Sequence, residues 1–128
     1  MPNVKITDNI LVEVSTMYLA EHSNPTMQKW IFAYKVHIHN QSQQTVQLLR
    51  RHWIITNGFG DVEHVKGDGV IGKQPILHPD EKHEYISGCP LSTSMGSMKG
   101  SYQMRNEQGE LFDVLIPEFL LAAPDSYE

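Results

Sequence analysis

Glycine and proline recur so often between residues 67 and 104 that a helix has no room to form there. The segment is confined to short extended pieces joined by turns. Within it Gly67, Gly69 and Gly72 spell G-x-G-x-x-G, the spacing of dinucleotide-binding loops, whose mechanism needs a strand before and a helix after. Pro75 and Pro79 follow almost at once, and each lacks an N–H and restricts the residue before it. As a functional site, the loop would be a nest of backbone N–H groups for a phosphate or pyrophosphate, with Lys66 and Lys73 supplying charge. As a structural element, it is a turn whose glycines take positive φ. No helix N-terminus adds its dipole and Asp68 places a negative charge inside the loop, so the structural reading is preferred.

Elsewhere period-two alternation dominates. Trp30, Phe32, Tyr34, Val36 and Ile38 fall on one face of a strand at 29–40, with Lys35, His37 and His39 on the other. Further strands are expected at 10–19, 45–56, 62–65, 83–87, 97–105 and 111–117. Leu11, Met17 and Leu19 suggest cover on the second face of the first, and the stretch at 45–56 is apolar on both faces, as in a central strand. Turns are expected at 39–43, 57–61 and 106–109, the first and third joining neighbouring strands as hairpins. About seven strands at this spacing predict an all-β, sandwich-like fold, a single domain over residues 1–128 with a loose tail at 122–128.

A chain of 128 residues is long enough to bury a core. No apolar run approaches the ~20 residues of a membrane span, and the opening residues are polar where a secretory signal is apolar, so a cytoplasmic location is expected. Cys89 is the only cysteine, which excludes an internal disulfide. With ten Lys and Arg against fifteen Asp and Glu, nucleic acid is not the natural partner. Arg50, Arg51 and His52 form a short basic cluster, read as solvated strand residues or a salt-bridge donor.

The seven histidines raise the question of metal. His37 and His39 lie two apart on one strand, a spacing compatible with two ligands, but a third is not identifiable and solvated imidazoles are the preferred reading. Cys89 could be a nucleophile beside His83 or His78, but Gly88-Cys89-Pro90 reads better as a strand end entering a turn around a small buried thiol. No nucleophile elbow, paired-carboxylate motif or H-E-x-x-H is present, so a non-enzymatic protein without cofactor is expected.

Several spaced motifs carry a resemblance. Arg51-His52-Trp53-Ile54-Ile55-Thr56, the glycine loop through Gln74-Pro75, Tyr85-x-Ser87-Gly88-Cys89-Pro90-Leu91, Met98-x-Gly100-Ser101-Tyr102-Gln103-Met104, and Phe112-Asp113-Val114-x-Ile116-Pro117-x-Phe119 resemble the ApaG family, also called CorD. The departure is Asn57-Gly58-Phe59-Gly60, where the family pattern is Asp-x-Asn-Gly. The resemblance implies a fibronectin type III-like or immunoglobulin-like β-sandwich. It also implies a protein-contact role and an association with cobalt resistance and magnesium efflux. On that reading the domain is a protein–protein interaction module, able to dimerise through edge strands. Ser92, Thr93, Ser94 and Met95 are a candidate partner-binding loop within 88–96, and the segment 67–82 is a second candidate. Phe59 and Met95 are possible apolar anchors, while Tyr85 and Met98 read as core. The alternative is a small-ligand sensor taking pyrophosphate or a nucleotide polyphosphate at Gly67–Gly72.

Overall fold

The computed structural model describes residues 3–124. It contains nine strands: β1 (Asn3–Thr7), β2 (Ile10–Tyr18), β3 (Trp30–Asn40), β4 (Val46–Asn57), β5 (Val62–Asp68), β6 (Ile76–Leu77), β7 (Lys82–Leu91), β8 (Met95–Arg105) and β9 (Leu111–Ala122). Two single-turn 3-10 helices, Ala20–His22 and Pro25–Met27, sit between β2 and β3. All strand pairings are antiparallel. The first sheet has the order β1-β2-β3-β7; the second runs β5-β4-β8-β9, with β6 pairing on β4. No helix of the described residues is long and apolar enough to cross a membrane.

The all-β sandwich is as the alternation predicts, but the sequence expectation missed β1 and β6. β1 has no strict alternation, and β6 is two residues long. The turn at 39–43 is not a hairpin, because β3 and β4 belong to different sheets; the one at 106–109 does join paired strands, β8 and β9. β7 extends through Gly88, Cys89 and Pro90 rather than turning there, since Pro90 lies on an edge strand that needs no further donor. The expected loose tail begins too early: Ala122 ends β9, and the buried Ala123 donates its N–H to the Ser94 carbonyl at 2.9 Å. Residues 125–128 lie outside the described residues.

One side chain set from each sheet fills the core: Ile10, Val12, Val14, Phe32, Tyr34, Val36 and Ile38 from the first, Leu48, Trp53, Tyr102, Met104, Val114 and Phe119 from the second. Trp53 packs edge-on to Tyr34 and Phe119 with ring centroids 5.1 and 5.9 Å apart. The two-faced apolar pattern of β4 has a local cause. The pairing with β8 shifts between Leu48 and Arg50, a bulge at Leu49. One extra residue inverts the alternation, so Val46 and Leu48 point inward before it, and Trp53 after it. A second shift lies between Met98 and Gly100 on β8, opposite Pro117 and Glu118, and carries β9 from inward Ile116 to inward Phe119.

Candidate functional site

The glycine segment is committed to its own turn. Gly69 donates to the Leu49 carbonyl at the bulge, and Val70 and Lys73 exchange backbone hydrogen bonds of 2.8 and 3.1 Å. Ile71 and Gly72 between them both take positive φ, 47° and 72°, the signature of a tight primed turn. Arg51 braces the turn, its Nη1 donating to the carbonyls of Asp68 and Gly69 at 3.0 Å. A Cβ on Gly67 would meet that guanidinium at 2.8 Å, so this glycine makes room for a protein side chain. Lys66 and Gly67 are neighbours on β5 and face opposite ways, which sends Lys66 to the outer surface of the second sheet. The geometry therefore gives Gly67, Gly69 and Gly72 turn and packing work, and Lys66 and Lys73 do not flank one nest of free amides.

The segment 92–95 is a short bridge between sheets. Ser92, Thr93 and Ser94 carry the chain from β7 to β8, and Met95 already belongs to β8, paired with Ala122. Thr93 Oγ1 accepts the Gly58 N–H at 2.8 Å and donates to the Met95 carbonyl at 2.6 Å, tying the bridge to the β4–β5 turn. Phe59 stands at the tip of that turn, 80% exposed. Of the expected core pair, Met98 is buried and Tyr85 is half-buried. The Tyr85 hydroxyl is hydrogen-bonded to that of Tyr102 between the sheets. Burial raises the Tyr85 phenol well above its ordinary value. Cys89 is buried opposite Phe32, and burial, then Glu63, pushes its thiol up to about 11, which keeps it protonated at neutral pH.

The outer face of the first sheet divides into two ends. At one end His37 and His39 project together, as their spacing requires, but each meets its own carboxylate: His37 Nδ1 lies 3.5 Å from Glu84 and His39 Nε2 lies 2.7 Å from Asp80. Lys35 completes the group at 2.9 Å from Glu84, and holds that carboxyl below its ordinary range. Among the described residues no group of three or more His, Cys, Asp or Glu is placed to hold a metal ion. At the other end the register aligns Met17, Ala33 and Gly88 in one row, Ile31 with Pro90 in the next, and Ile86 beside Lys35 on the other side. All point away from the core, and Met17 and Ile86 are each 64% exposed, against the expectation of cover over Met17. This is a flat apolar surface on the open side of a three-strand platform.

The second sheet's outer face is charged around β4 and β5, while Leu115 and Leu120 are exposed on β9. Arg50 and His52 on β4 stand beside Lys66 and His64 on β5, and beside Ser101 and Lys99 on β8. His52 Nε2 and His64 Nδ1 share a hydrogen bond of 2.8 Å, and Arg50 pairs with Asp68 at 3.0 Å. The sequence groups Arg50, Arg51 and His52 as one cluster, but the bulge at Leu49 turns Arg50 and His52 outward and Arg51 inward, and only strand register brings His64 and Lys66 alongside.

Known proteins share this architecture. A family model described as the ApaG domain matches residues 20–106. A protein named ApaG from Mesorhizobium japonicum is 50% identical over 119 residues, covering 93% of this chain and 92% of its own. Another from Nitrosomonas europaea is 50% identical over 116 residues, 91% of each chain. A crystal structure of a protein described as ApaA from Bordetella pertussis superposes with a TM-score of 0.88 at 45% identity, covering 94% of this chain and 98% of that one. A protein from Archaeoglobus fulgidus, 8% identical with a TM-score of 0.55, shares the fold alone.

Proposed function

The chain belongs to the ApaG family, and on that premise we propose that it works without catalysis, as a protein-interaction domain whose partner seats on the apolar end of the first sheet. One observation carries this reading: Met17, Ile31, Ala33, Ile86, Gly88 and Pro90 lie together on a rigid strand platform and face away from the core. Met17 and Ile86 would be the anchors, and removing them from water on binding is the driving force. The unpaired edge of β7 borders the same patch, so a partner strand could add there, or a second copy could pair edge to edge. The association with cobalt resistance and magnesium efflux would then act through the partner.

The test is affinity capture with the parent protein, a Met17→Lys/Ile86→Lys variant of equal unfolding midpoint, and an unrelated sandwich domain. A specific protein retained by the parent and lost by the double variant supports the reading. Equal recovery by all three, or by parent and variant alike, defeats it.

A further inference from the structure

The charged face of the second sheet has a groove of about 200 Å³ lined by Arg50, His52, Lys66, Ser101, Gln103 and Asp113, together with Arg51, whose guanidinium points to the glycine turn. That is several times the ~30 Å³ share of one water molecule in the liquid. The register builds it from two adjacent cross-strand rows. Lys66, His52 and Ser101 form one; Asp68, Arg50, Gln103 and Asp113 form the other. Donors converge on it from three strands: a guanidinium, an ammonium, an imidazole, a hydroxyl and an amide. This concentration of cationic groups stands out on a chain of net charge −5.

We propose that this groove is a binding site for a phosphate group, held between Arg50, His52, Lys66 and Ser101. Arg50, whose Nη1 also holds Asp68 at 3.0 Å, offers its remaining guanidinium N–H groups to phosphate oxygens, Lys66 a point charge, and Ser101 a neutral donor. The histidine pair adds a proton-dependent element. In the bond between His52 and His64 one ring donates and the other accepts, so with both rings protonated that bond is lost. Burial, then Lys66 and His64, hold His52 below its ordinary 6.5, while Asp113 opposes them. Other charged groups near His52 are Arg50 on β4, Lys99 on β8, Glu118 on β9 and Lys5 on β1. A bound dianion would offset the crowding of positive charge and draw a proton onto His52. Affinity for a phosphate monoester therefore rises as pH falls from 8 towards 6.5, above the monoester's second ionisation at about 6. This site lies on the opposite sheet from the proposed protein-binding patch, so either can fail without the other.

The test follows the imidazole NMR signals of His52 and His64, identified with His52→Gln and His64→Gln, during titration with inorganic phosphate and, separately, phenyl phosphate. Ionic strength is held constant with chloride. The expected result is a saturable shift of both rings, an upward move of the His52 titration, and binding weakened about tenfold in Arg50→Gln and in Lys66→Gln at unchanged unfolding midpoint. Tighter binding of phenyl phosphate would assign the site to an esterified phosphate, and tighter binding of inorganic phosphate to the free ion. Shifts that chloride reproduces, that never saturate, or that survive both substitutions would overturn the proposal.

Discussion

The outer faces of the two sheets are built from the same kind of strand, yet one ends in a flat apolar patch and the other in a charged groove. Ile86, Met17 and Pro90 dominate the first; Arg50, His52 and Lys66 dominate the second. Both sheets bury their inner faces against one shared core, so the difference is not forced by folding. Residues that packing leaves free to vary are those that can serve recognition, and here the two faces differ in the chemistry they offer: area to be removed from water on one, charge and hydrogen-bond donors on the other.

The largest effect is expected beneath the charged face. A Cβ on Gly100 would overlap the carbonyl oxygen of His52, so β4 and β8 approach each other only because this residue has none. Gly100→Val should cost about 3 kcal/mol or more, read as a lowered urea midpoint, since a clash with backbone has no flexible group to absorb it. Little change would mean that the spacing of the charged rows is set elsewhere. Next is Tyr85→Phe, which removes the partner of the fully buried Tyr102 hydroxyl and should cost about 1–3 kcal/mol while leaving both outer faces chemically intact.

Acidification should weaken the fold through its histidines. His52 and His83 are both held below the ordinary 6.5, chiefly by burial. Above 6.5 both are neutral in either state and contribute nothing. Below it the unfolded chain takes up protons first, so stability falls as pH drops through 6.5 towards the lower folded-state values. Urea midpoints at pH 7.5 and 5.5 in a phosphate-free buffer should show that fall, and His52→Gln/His83→Gln should flatten it; an unchanged slope would locate the acid sensitivity elsewhere. Smaller still is Met17→Lys/Ile86→Lys, which should change stability by no more than about 0.5 kcal/mol despite altering the apolar patch, because both side chains are already in water. Glu84→Gln is smallest. Its pairing with Lys35 is exposed, and thermal unfolding should not resolve the loss.

The sandwich was legible because β3 repeats its alternation from Trp30 to Ile38 without interruption, and because Pro75, Pro79 and the glycines forbid a competing helix. The family was legible from the spaced motifs around Trp53, Cys89 and Tyr102. The candidate sites were much less so. Pairing of His64 with His52, and alignment of Met17 with Ala33 and Gly88, are facts of register between strands that the chain order does not encode locally. The glycine motif was legible as a turn, because Pro75, Pro79 and Asp68 argue against a phosphate nest ahead of a helix, and the segment makes a primed turn held by Arg51.

The bulge at Leu49 acts on the chain as a change of parity. Upstream of it even-numbered residues of β4 belong to the interior; downstream the odd-numbered ones do. Deleting that one residue would leave Arg50 next to Leu48 in regular alternation and keep Arg50 and His52 outward, whereas pairing Leu49 regularly with Gln103 would turn Arg50 and His52 inward and deliver Trp53 to solvent. The charged face is therefore written in the register of the strand as much as in its residue types, and it depends on Leu49 being left without a partner on β8.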